Sequence, residues 1–167
     1  MLAEIEELFE KNIVALAESL GRVLQGALRD YEQLRLAGVK GELSHVYISF
    51  LQSSVLCKLP WLRLDLYDEN NRSDVVECFA DWDVPGISEH LYRGVDKLVI
   101  ETGWMEDYEL EQAWIDASDG YFNCFESFLP QIISMCVGAS AMHCRWHFGQ
   151  FLGNTVVVRE SSKNEVF

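Results

Sequence analysis

The sequence predicts an α+β domain in which a helical majority packs on one face of a small antiparallel sheet. Three observations point there. Apolar residues recur at threes and fours through the first 36 positions, the period drops to two between 61 and 84, and helical spacing returns after 107. With 167 residues, 49% of them hydrophobic and 12% aromatic, the chain can bury one core of its own, so a single domain over 1–167 is expected.

The first element is a long helix over about 2–36. Leu2, Ile5, Phe9, Ile13, Leu16, Leu20, Val23, Ala27, Tyr31 and Leu34 form its apolar stripe. At 1.5 Å per residue such a helix is about 50 Å long, more than the width of a compact domain of this size. Either it bends at Gly21 or Gly26, or one end projects to meet a second copy, and a homodimer through this helix is the expectation. Gly38 and Gly41 end it.

The next stretch, "LSHVYISFLQSSVLCKL" (43–59), is nearly apolar and lacks clean alternation. It reads as a buried helix stopped by Pro60, with a strand as the competing assignment. Strict alternation follows. Leu62, Leu64 and Leu66 oppose Arg63, Asp65 and Tyr67; Val76, Cys78, Ala80, Trp82 and Val84 oppose Glu77, Phe79, Asp81 and Asp83. Two half-buried strands joined by the polar turn "DENNRSD" make an antiparallel hairpin over about 61–84.

Pro85-Gly86 breaks the second strand, and Ser88 can cap a helix facing inward through Leu91, Val95 and Leu98, which Gly103 stops. A further helix over 107–128 turns Leu110, Trp114, Ala117, Tyr121, Phe125 and Phe128 inward, and Pro130 is expected to kink or restart it. "FLGNTVVVRE" predicts a third strand at about 151–159 beside the hairpin, followed by a polar tail over 160–167.

Charge is distributed unevenly. Residues 65–126 hold 17 acids against 3 bases, so the net charge of −14 lies entirely in the middle of the chain; the remainder balances 10 acids with 10 bases. Nucleic-acid phosphate and anionic membranes are poor partners for such a surface, whereas a basic protein suits it. The acidic, periodic N-terminus does not resemble a signal peptide, and the longest weakly polar run, 130–142, is too short to span a bilayer. Five cysteines, an odd number set in apolar runs, fit reduced buried thiols, so a cytoplasmic location is expected.

"VYISFLQSSVLCKLPWLRLDLYDE" followed by "ECFADWD", about residues 46–83, resembles a pattern of small uncharacterised bacterial proteins. These carry a "YISFL" segment, a strand ending in "LYDE" and a strand with an aromatic near "YWD". The resemblance covers about a quarter of the chain and implies no activity and no catalytic residue.

Chemically, the most suggestive stretch is "SAMHCRWHFG", with His143, Cys144 and His147. On a helix the two histidines share a face and Cys144 leaves it; on a strand the same separation holds. Structural zinc takes four ligands in short pairs and no second pair exists here, so no metal or other cofactor is expected. A Cys–His nucleophile lacks an orienting partner and an oxyanion loop. The 68–79 stretch is a turn rather than a calcium loop, because Ser73 and Phe79 stand where Gly and Glu are required. Asp65, Glu77, Asp81 and Asp83 are expected on the solvated face of the hairpin with Tyr67 and Phe79, and aromatics set among charges are typical of interfaces. The function these observations favour is a non-enzymatic module binding a basic protein through Asp65, Tyr67, Glu77, Phe79, Asp81 and Asp83, with an immunity or antitoxin-like inhibitor as one concrete form. The alternative is a small metal-dependent or Cys/His enzyme using His143, Cys144 and His147.

Overall fold

The computed structural model describes residues 2–51, 61–84, 107–137 and 143–160. Its elements are helix α1 (Leu2–Leu36), strands β1 (His45–Phe50), β2 (Trp61–Tyr67) and β3 (Phe79–Asp83), helix α2 (Asp107–Val137), and strands β4 (Arg145–Gln150) and β5 (Thr155–Glu160). The strands form one sheet in the order β3-β2-β1-β4-β5. Every neighbouring pair is antiparallel except β1 with β4, which are parallel. The fold is α+β, and both helices contribute to the core on one face of this mostly antiparallel sheet.

The core grows from the predicted stripes. Phe9, Leu16, Leu20, Leu24, Ala27 and Tyr31 of α1 are buried with Phe125, Leu129, Ile132 and Ile133 of α2. The sheet contributes Val46, Ile48, Leu62, Leu64, Leu66, Trp82, Trp146 and Phe148. Phe9 stacks on Phe125 and Phe128, and Phe125 reaches Trp82 and Phe148 on the sheet. Helix α1 runs without a break through Gly21 and Gly26. It ends where Gly38, at φ 71°, donates to Arg35 O and Val39 donates to Leu34 O, the paired bonds of a left-handed C-terminal cap. Of the predicted stripe, Phe9, Leu16, Leu20, Ala27 and Tyr31 are buried, and Ile13 and Val23 are partly buried against the same core. Among the described residues no helix is long and apolar enough to cross a membrane.

Four expectations change. Residues 45–50 are a strand, not a helix. β1 lies at the centre of the sheet and is buried on both faces, so Tyr47 and Ser49 are as enclosed as Val46 and Ile48, and no polar alternation marks it. The sheet is mixed rather than purely antiparallel, because β4, in the stretch bearing His147, inserts parallel to β1. The C-terminal strand begins at Thr155 and lies beside β4 at the edge opposite the hairpin; 151–154 is the turn feeding it. Finally, α2 continues past Pro130 to Val137. Pro130 is exposed, so the backbone bond it removes falls on the solvent side, while the buried Leu129, Ile132 and Ile133 continue the inward stripe. The hairpin itself stands as expected, and a 3₁₀ turn at Asn71–Ser73 closes it. The helix expected between Ser88 and Gly103, Cys57 and the tail beyond 160 lie outside the described residues, as do the side chains of Leu2, Ile5, Leu110, Trp114 and Ala117.

Candidate functional site

The face of the sheet turned away from the helices is polar, aromatic and partly enclosed. Alternation places His45, Tyr47 and Ser49 of β1, Arg63, Asp65 and Tyr67 of β2, and Arg145 and His147 of β4 on this face, since their neighbours face the core. Parallel pairing sets Tyr47 beside His147, and their rings stack at 4.1 Å and 5°. His45, one pair along, brings Nδ1 to 3.1 Å from His147 Nε2. Tyr67 meets Tyr47 edge-on at 5.6 Å. The Arg72 guanidinium lies 4.5 Å from the Tyr47 ring and donates from Nη1 to Gly153 O, so the loop after β2 reaches across to the turn after β4.

Burial dictates the electrostatics. His147 is only 8% exposed, and its pKa is pushed down to about 4, first by desolvation and then by His45, Arg72 and Arg145. His45 is lowered for the same first reason, with Arg145 adding to it. At neutral pH both imidazoles are uncharged. Asp65 is 3% exposed; burial raises its pKa even though Arg63 Nε donates to its Oδ1 at 2.8 Å. The Arg63 guanidinium is flanked by the rings of Phe79 at 4.0 Å and Phe151 at 4.6 Å. Its Nη2 forms an ion pair with Glu77 Oε2 at 3.4 Å.

Toward the β3 edge the surface becomes acidic. Glu77, Asp81 and Asp83 are exposed, and Phe79 between them is 46% exposed. Asp65 differs from expectation. It is on the non-core face, but behind Arg63 and out of solvent, because the Arg63–Phe79 stack covers it. Tyr67 is half-buried and turned toward Tyr47 rather than outward.

The structure separates the three residues of the "HCRWH" stretch. His143 is exposed before β4, Cys144 faces the core at 3% exposure, and His147 lies on the opposite face. Burial pushes the Cys144 thiol up to about 12, with Arg159 and Trp146 opposing the shift, so it is not a nucleophile at neutral pH. Cys78, Cys124, Cys136 and Cys144 are all free thiols. Among the described residues no three His, Cys, Asp or Glu side chains are grouped to hold a metal. The sequence did not show His45, Tyr47, Arg63 and Arg72 as one cluster with His147, since 102 positions separate the two histidines and only the parallel β1–β4 pairing joins them. No family model, no curated protein and no solved structure matches this chain.

Proposed function

We propose that this protein is a non-enzymatic binding module that docks a basic protein on strand β3 and its flank. The observation that carries this is the outward row Glu77, Phe79, Asp81 and Asp83: three exposed carboxylates around one exposed ring, on an edge strand. Phe79 is held from beneath by Arg63, and Arg63 in turn by Asp65, so the aromatic anchor is preset rather than floppy. Asp65 supports the surface and does not touch the partner.

Backbone polarity adds to this. Leu66 N donates to Cys78 O, so in the antiparallel register Cys78, Ala80 and Trp82 bond toward β2, while Phe79, Asp81 and Asp83 aim their N–H and C=O groups outward. The Asp83 carbonyl accepts from Ser19 Oγ at 3.4 Å, consistent with that direction. Among the described residues no strand pairs with this edge. A partner with an extended basic segment can therefore meet both the carboxylates and the outward backbone groups of Phe79 and Asp81. An immunity or antitoxin-like inhibitor of a cationic toxin is one concrete form.

The test is a pull-down from the native host, followed by association rates of the captured partner against wild type and Asp81→Lys/Asp83→Lys. A basic partner whose association slows with salt and with the double reversal supports the proposal. Neutral or acidic partners, or an unchanged rate, reduce the acidic face to a solubility feature.

A further inference from the structure

A cavity of about 250 Å³ lies between α2 and the carboxyl ends of the parallel strands β1 and β4, on the core side of the sheet and away from the β3 rim. Its floor is aromatic. Phe50 of β1 stacks on Phe122 of α2 at 4.2 Å and 7°, and the Phe148 ring stands tilted at 6.1 and 6.2 Å from the two. Phe122 and Phe148 are buried, and Phe148 meets Phe125 edge-on, so the core holds this floor in place. The walls are polar: Asn123 and Glu126 on α2, Gln150 at the end of β4, and Asn154 and Thr155 at the entry to β5. Among the described residues, none of these five side chains makes a hydrogen bond or an ion pair. The adjoining turn is closed by main chain alone, with Gln150 N donating to Asn154 O and Gly153 N to Gln150 O. Polar groups that the fold does not use, converging on an apolar floor, are the pattern of a small-ligand site.

We propose that this cavity binds a small organic ammonium, a primary amine carried on a short apolar body. Glu126 is the one ionisable residue of the lining, so the cavity carries a negative charge with no cation of its own. A carboxylate accepts only, and a primary ammonium brings three donors, enough for Glu126 and for side-chain amide oxygens beside it. Aromatic faces attract a cation, and the phenylalanine floor with Val156 can take the apolar body. An anionic ligand would meet Glu126 with like charge. Volume sets the size: drug-sized ligands occupy about 300–1,000 Å³, so this cavity suits a body of one ring. The site shares no residue with the β3 surface, and the two can be tested apart.

The experiment uses the full chain and three probes of one shape, 2-phenylethylamine, 2-phenylethanol and 3-phenylpropanoate, titrated while backbone amide resonances are followed. The amine is expected to bind saturably, with Kd on the order of 1 mM or tighter, and to shift the amides of Asn123, Gln150 and Thr155. The alcohol should bind about tenfold more weakly and the carboxylate more weakly still. Glu126→Gln keeps the shape and removes the charge; it should weaken the amine about tenfold and leave the alcohol unchanged. Val156→Trp, at an exposed position of the lining, should block both. Asp81→Lys/Asp83→Lys moves the net charge from −14 to −10 without touching the cavity, and amine binding should stay within about twofold. That control separates a site from the general attraction of a cation to an acidic protein. Amide dispersion in the same spectra shows whether each variant is folded. Equal affinity for amine and alcohol, amine binding that survives Glu126→Gln, shifts that map to other residues, or no saturable binding overturns the proposal.

Discussion

Lys40 is a cation with nowhere to go: its side chain is fully buried, paired to the buried Asp74 carboxylate and set beside the rings of Tyr31 and Tyr67. It ties the loop after α1 to the β2–β3 loop. Removing one member of such a pair strands the other charge, so Lys40→Met should cost about 3–5 kcal/mol in urea denaturation, and adding Asp74→Leu should restore much of it. A loss below about 1 kcal/mol would show that the pair is hydrated. The buried Trp82 indole donates to Ser19 Oγ at 3.1 Å, and Ser19→Ala, which orphans that N–H, should cost about 1–3 kcal/mol. His147 makes stability depend on pH. The unfolded ring takes a proton near its ordinary 6.5, but the folded ring does not until about 4. Stability from this group is therefore full above 6.5 and is lost as pH falls toward 4. His45 acts in the same direction, while the raised Asp65 opposes both. Stability measured from pH 7 to 4.5 should fall less steeply in His147→Asn than in wild type; equal slopes would contradict the assignment.

At the scale of elements, the turn between β4 and β5 is where the backbone is most constrained. Leu152 is held at φ 56° with 70% of its surface exposed, a left-handed conformation that costs a side chain about 1 kcal/mol or more and is offset here by no burial. Leu152→Gly should therefore raise the melting temperature, and a lower one would show that the leucine makes contacts that matter. Gly149 is the converse case. At φ 154° a Cβ there would run into the Asn154 carbonyl, so Gly149→Ala should destabilise the β4–β5 hairpin and with it the Arg72–Gly153 bridge. The elements legible in the sequence were those whose apolar residues recur at a regular period. α1 and the 61–84 hairpin carry a clear periodicity, and of the core residues read from it Phe9, Leu16, Leu20, Ala27, Tyr31, Leu62, Leu64, Leu66, Cys78, Trp82 and Val84 are buried, while Ile13, Val23, Leu34, Val76 and Ala80 are only partly so. β1 and β4 were not legible as strands because the residues that should have looked polar, Tyr47, Ser49 and His147, are buried by contacts far away in sequence. Pro130 misled for a related reason: a proline's effect depends on which side of the helix it occupies, and spacing alone does not show that.

At the largest scale, among the described residues, the sheet separates three environments: an apolar core beneath the helices, an enclosed polar-aromatic centre on the other face, and an acidic rim at β3. The rim was legible, since alternation placed Glu77, Phe79, Asp81 and Asp83 outward correctly. The centre was not, because His45 and His147 meet through a parallel pairing that no local pattern encodes. Asp65 was assigned to the rim and belongs to the centre; only the Arg63–Phe79 stack, a tertiary feature, decides between them. The net charge of −14 gives the rim long reach at low salt, with a screening length of about 10 Å at 0.1 M. Reversing rim carboxylates should therefore act on encounter more than on dissociation, and should leave folding intact because the side chains are exposed. The most direct measurement is the association rate of the captured partner with wild type and with Asp81→Lys/Asp83→Lys, at low and high salt. The expected result is an association rate at least about tenfold slower for the variant at low salt, a gap that closes at high salt, and a dissociation rate that changes far less. Equal association rates at low salt, with both proteins folded, would contradict the claim that the β3 rim is the binding surface.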